Sequence, residues 1–280
     1  MTEIPFRMLR EGMPIIVLPV FINGQGPFDF ILDTGNAVGK AALALISEAL
    51  ARELSIHAAE SEELRDAYAV GDAQAPAIHV GRIESLALGE TVRRGVPVGV
   101  TSIFDGLGEQ IGARIDGNIG YAFLKDYAVT IDYERCVLRL EAGGSAPGGV
   151  PFRLGAGDPL LMVHAMVNGQ GPYNFAVDTG AGHTVISARV ASELALVRGR
   201  DVALKGGAGD ARGFMTEIEM LEAAGVNCGK MRVVAAGFFD SLSAAAGETV
   251  DGIVGYNVLR RYQVVIDYPG STILLAASGA

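Results

Sequence analysis

The apolar residues of this chain fall into short runs, and most of the runs occur twice. Residues 15–21 and 160–167 are apolar and read as strands, each ended by the same turn sequence, Asn-Gly-Gln-Gly-Pro, at 23–27 and 168–172. Residues 28–32 and 173–177 read as the returning strands, so each half opens with a hairpin. Alanine-rich helical spacing follows at 41–54 and 187–196. Further strands are predicted at 92–100 and 231–236. Others are expected at 127–133 and 262–268, each followed by a short turn and another apolar stretch. Many short strands with few short helices predict an all-β, bilobal architecture.

The recurrence keeps its order through both halves. Ile46-Ser47 matches Ile186-Ser187, Gly71-Asp72-Ala73 matches Gly209-Asp210-Ala211, and Phe104-Asp105 matches Phe239-Asp240. Asp116-Gly117, Gly120-Tyr121 and Ile131-Asp132-Tyr133 match Asp251-Gly252, Gly255-Tyr256 and Ile266-Asp267-Tyr268. A repeat this long is a duplicated lobe with pseudo-twofold symmetry, not a solenoid unit. The Gly-rich stretch at 141–149 reads as the joint between lobes. It divides the chain into 1–142 and 150–280, with 143–149 as linker.

Composition narrows the function. Half of the residues are apolar and 19% are charged, the balance of a globular chain with a sizeable core. A net charge of −10 argues against a nucleic-acid partner, which calls for a basic stripe. No apolar run is long enough to span a membrane. Residues 1–10 lack the apolar centre of a secretion signal, and the compartment stays open. Cys136 and Cys228 occupy unmatched positions and read as small buried apolar side chains. His57, His79, His164 and His183 show no ligand spacing, so no metal is expected. Neither a Gly-x-Ser-x-Gly elbow nor a phosphate-binding loop is present.

The chemistry sits where both return strands end, at Asp33-Thr34-Gly35 and Asp178-Thr179-Gly180. One such tripeptide alone reads as a turn with an Asx hydrogen bond. Two in matched positions offer a pair of carboxyl groups. Like charges a few ångström apart cannot both ionise, so such a pair retains one proton. One group can then take a proton from water while the other polarises a carbonyl. Gly35 and Gly180 would allow backbone geometry that a Cβ obstructs, and Gly120 and Gly255 would let a chain segment pass close behind each loop. Asp116 and Asp251 read as loop anchors, and Asp132 and Asp267 as strand-end residues.

With these residues the chain resembles the retropepsin-like aspartic proteases, in a single-chain form with two fused lobes. Each half has an apolar pair before Asp-Thr-Gly, Ile31-Leu32 and Ala176-Val177, and a later glycine element, Asn118-Ile119-Gly120 and Ile253-Val254-Gly255. The resemblance implies an aspartic endopeptidase with an Asp33/Asp178 dyad and an unbound water. It implies cross-lobe hydrogen bonds from Thr34 and Thr179, and no cofactor. A polypeptide substrate and a monomer follow from it. Flap hairpins are expected near Tyr68 and Gly71, and near Gly206, Gly207 and Gly209. The rivals are a catalytically silent peptide-binding or regulatory protein on the same scaffold, and an assembly protein in which duplication serves symmetry alone.

The halves also differ. The stretch from Asp33 to Ile46 is five residues longer than that from Asp178 to Ile186, and Asn118 stands where an apolar residue is expected. Asn36 is a candidate pKa-tuning residue, expected to donate to Asp33 and leave the shared proton on Asp178, because Ala181 cannot do the same.

Overall fold

Asn23 and Gly24 sit at φ 51° and 76°, and Asn168 and Gly169 repeat both values. Asn-Gly favours this two-residue, positive-φ turn, whose twist matches that of the strands it joins. It connects Ile16–Ile22 to Gln25–Leu32 in the first half and Leu161–Val167 to Gln170–Val177 in the second. Both return strands begin exposed and end buried, at Phe30–Leu32 and Phe175–Val177, just before the aspartates. The computed structural model describes residues 2–9, 14–36, 42–60, 76–143, 148–206 and 209–277. Tyr68, Gly71, Gly207 and most of the insertion after Asn36 lie outside them.

The return strands do not end on a free edge. Leu32 pairs in parallel with Ile119 of Gly117–Ile119, and Val177 with Val254 of Gly252–Val254. Those short strands run antiparallel to Leu45–Ser47 and Val185–Ser187. These in turn pair in parallel with Thr91–Thr101 and Met231–Ala236. Each aspartate therefore leaves the edge of a buried, cross-braced sheet.

The helix expected within 187–196 is present as Ala188–Glu193, after the strand Val185–Ser187. The helical reading of 41–54 is corrected: Leu45–Ser47 is a strand, and the helix is the six residues Glu48–Glu53. Ile46 is fully buried in the sheet, and tertiary pairing overrides local helix propensity there. Ser47 and Ser187 mark the switch, their hydroxyls accepting from Leu50 N at 3.0 Å and Val190 N at 3.1 Å. Two longer helices, Ile103–Ile111 and Phe239–Ala246, were not predicted. Each ends on a left-handed glycine, Gly112 or Gly247, a stop signal visible in the sequence.

Among the described residues, a six-stranded sheet joins the halves, in the order Thr2–Pro5, Val137–Ala142, Tyr127–Asp132, Tyr262–Asp267, Thr272–Ala277, Val150–Pro151. Its central pair crosses the boundary, with Thr130 opposite Val265. Glu141 and Ala142 belong to a strand, so the joint is shorter than the Gly-rich stretch suggested. One apolar cluster runs from Ile4 through Phe30, Phe123 and Phe175 to Leu275, continuous across both halves. The fold is mostly β, with two barrel-like lobes and short helices. No helix among the described residues is long and apolar enough to cross a membrane.

Candidate active site

The two aspartate loops are anchored alike. Asp33 N donates to Ile119 O at 2.9 Å, and Asp178 N to Val254 O at 3.0 Å. Behind the first loop, a Cβ on Gly120 would lie 2.6 Å from Asp33 O and 2.7 Å from Asn36 O. Behind the second, a Cβ on Gly255 would run into the carbonyls of His183 and Ala181. Gly120 and Gly255 thus lie where a loop passes too close for any side chain.

The loops meet across the lobe boundary. A Cβ on Gly35 would lie 2.6 Å from Asp178 Cγ, and one on Gly180 would lie 2.9 Å from Asp33 Oδ1. Each glycine turns a bare face to the other half's carboxyl group. The two carboxyl groups are within hydrogen-bonding reach of each other. Beneath them, Thr34 Oγ1 donates to Val177 O at 2.9 Å and accepts from Thr179 N at 3.0 Å. Thr179 Oγ1 donates to Leu32 O at 2.8 Å and accepts from Thr34 N at 3.0 Å. Both threonines are buried, and this network holds the loops in register.

Electrostatics follow from that proximity. Burial raises the pKa of Asp33, the negative charge of Asp178 raises it further, and it is pushed up to about 8. Burial also raises Asp178, but the backbone amides of Gly180, Gly35 and Ala181 oppose the rise. The Gly180 amide donates to Asp178 Oδ1 at 2.7 Å. Hydrogen bonds to a carboxylate favour its charged form. Burial therefore raises both carboxyl groups, and a pair so placed retains one proton.

One expectation changes here. The amide of Asn36 donates to Asn118 Oδ1 at 2.7 Å, and Asn118 Nδ2 donates to Asp33 Oδ2 at 3.0 Å. The donor to Asp33 is Asn118, and Asn36 stands one step behind it. The side-chain comparison of Asn36 with Ala181 left out the backbone donors of the second loop. The second half has a polar brace of its own. Thr184 Oγ1 donates to Asn257 Oδ1 at 2.8 Å and accepts from Gly255 N at 3.2 Å. Sequence reasoning passed over Thr184 and Asn257. The signal was present in the repeat, where Ala44 and Ala122 stand at the corresponding positions.

The remaining residues fall outside the dyad. Asp116 and Asp251 accept from Asp29 N and Asn174 N, each at 2.9 Å, and pair with Arg114 and Arg189. Asp132 and Asp267 accept from Arg135 N and Gly270 N in the turns that follow their strands. Gly206 pairs with Gly209 at the end of the hairpin Asp201–Gly206 and Gly209–Ile218. His183 is exposed. Cys228 is buried and Cys136 partly buried, both as free thiols.

A family model described as aspartyl protease matches residues 18–123 and again 163–258. No curated protein matches the chain. The two matches cover both aspartate loops and both glycine elements, so the chain belongs to the aspartyl protease family.

Proposed function

We propose that this protein is a retropepsin-like aspartic endopeptidase that works as a monomer, with residues 1–142 and 150–280 as its lobes and Asp33 and Asp178 as its dyad. The observation that carries this reading is the approach of the two carboxyl groups, each against the bare glycine of the opposite half. In the reaction, a water between them loses a proton to the Asp178 carboxylate as its oxygen attacks the peptide carbon. The Asp33 carboxylic acid gives its proton to the carbonyl oxygen. The tetrahedral diol then collapses: Asp178 returns the proton to the leaving nitrogen, the C–N bond breaks, and Asp33 recovers its proton from the diol hydroxyl. Neither a metal nor a cofactor takes part. The hairpin of Asp201–Gly206 and Gly209–Ile218 would serve as the flap over substrate.

The test is incubation with an unbiased peptide mixture from pH 3 to 8, read by mass spectrometry. Wild type should cut, and Asp33→Asn and Asp178→Asn should each lose about 10³-fold or more in kcat/KM. Peptide binding without turnover in wild type would reject the reading in favour of a silent binder on the same scaffold.

A further inference from the structure

We propose that Asn118 is a positioning residue: held by Asn36, it keeps one oxygen of Asp33 as an acceptor and so determines which oxygen of that group can carry the shared proton. The proposal rests on the dyad reading above and adds to it a contact that only the first half makes.

The duplication provides an internal control. Asn118 corresponds to Ile253, and Asn36 corresponds to Ala181. Both members of the polar pair are apolar in the other half, so the change is a matched one. Asn118 sits in the middle of the buried strand Gly117–Ile119, opposite Ile31 on one side and Leu45 on the other, and is 4% exposed. An amide buried at such a position is costly unless both its ends are bonded. Here both are. Its oxygen accepts from Asn36 at 2.7 Å, and its nitrogen donates to Asp33 Oδ2 at 3.0 Å.

Those two bonds set the orientation of the amide. Turned over, it would set its NH₂ against the NH₂ of Asn36 and lose that bond, so the contact with Asn36 holds the nitrogen towards Asp33. Asp33 Oδ2 is thereby committed as an acceptor, and the proton is directed to Oδ1. Oδ1 is the oxygen that lies over Gly180 of the other half. The groups facing Asp33 are the Asp178 carboxylate, the Asn118 and Gly35 amides, and the phenol of Tyr268. Those facing Asp178 are the amides of Gly180, Gly35 and Ala181, and the phenol of Tyr133. Asn118 is the side-chain amide in this set, and it acts on one carboxyl group only.

The experiment is a ¹³C NMR titration of the aspartate carboxyl groups, with kcat and KM measured across pH on the same samples. Removing a donor to the charged form raises a carboxyl pKa. Asn118→Leu should therefore raise the higher pKa of the pair by about 1 unit. The alkaline limb of kcat should follow, with KM unchanged. Asn36→Ala, which frees the amide without altering the buried strand, should move both in the same direction by less. If Asn118→Leu does not fold, Asn36→Ala decides alone. Titrations unmoved in the folded variants overturn the proposal, whether or not the enzyme cuts. Absent cleavage by wild type with a shifted titration would instead overturn the proteolytic reading and leave this one standing.

Discussion

Tyr133 of the first half packs edge-on against Tyr256 of the second, with ring centroids 5.7 Å apart. The repeat returns the arrangement with Tyr268 against Tyr121, again at 5.7 Å. Each tyrosine ends an interlobe strand and lies under the helix that begins just after the opposite half's glycine element. The hydroxyls of Tyr133 and Tyr268 have no hydrogen-bond partner among the described residues. Removing an unsatisfied buried hydroxyl costs little, so Tyr268→Phe should change stability by no more than about 1 kcal/mol, in either direction. Denaturant unfolding measures this. A loss well above about 2 kcal/mol would mean that the hydroxyl is bonded in solution.

The threonine network is predicted to be costly to break. Thr34→Val removes a buried hydroxyl and leaves Thr179 N and Val177 O without their partner. Each group stranded in the interior costs about 1–3 kcal/mol, so the variant should lose about 2–5 kcal/mol. Thr34→Ser keeps the hydroxyl and should lose far less. A lower melting temperature for Thr34→Ser than for Thr34→Val would show that the methyl group, not the bonds, holds the lobes together.

Gly35→Ala tests space rather than backbone conformation, since Gly35 has no positive φ. Its Cβ would lie 2.6 Å from Asp178 Cγ, too close for either group to stay in place. The variant should keep its far-ultraviolet circular dichroism and lose about 10²-fold or more in kcat, as misplaced reacting groups do. Gly24→Ala, where a Cβ meets nothing within 4 Å, separates steric from conformational cost. It sits at φ 76°, so it should lose stability while leaving the dyad undisturbed.

Stability should depend on pH through Asp33. Its folded pKa, about 8, lies above the ordinary value of 3.8. The folded state therefore binds the extra proton, and wild-type stability falls as pH rises from about 4 towards 8. Below that window the group is protonated whether folded or unfolded, and the penalty disappears. Asp33→Asn cannot ionise and relieves the repulsion on Asp178. It should be more stable than wild type by about 1–3 kcal/mol near pH 8, with the gap closing towards pH 4. A gap that is constant across this range would remove Asp33 as its source.

How much of this was legible in advance depends on the reach of each interaction. The hairpins were, because Asn23-Gly24 and Asn168-Gly169 demand positive φ and alternating burial follows directly from residue type. The helix boundaries were not. Leu45–Ser47 carries helical spacing but is claimed by strands on both sides. Local propensity of a few tenths of a kcal/mol per residue yields to that pairing.

The duplication, the all-β lobes and the two aspartates at matched strand ends can be read along the chain, because they depend on pattern and on neighbouring residues. That Asn118, 85 residues from Asp33 in sequence, makes the bond assigned to Asn36 emerges only on folding. Folding also brings the amide of Gly180 onto Asp178 at 2.7 Å. Backbone donors belong to every residue type, and only folding determines where they point. The surroundings of two identical tripeptides therefore differ only once the site is assembled.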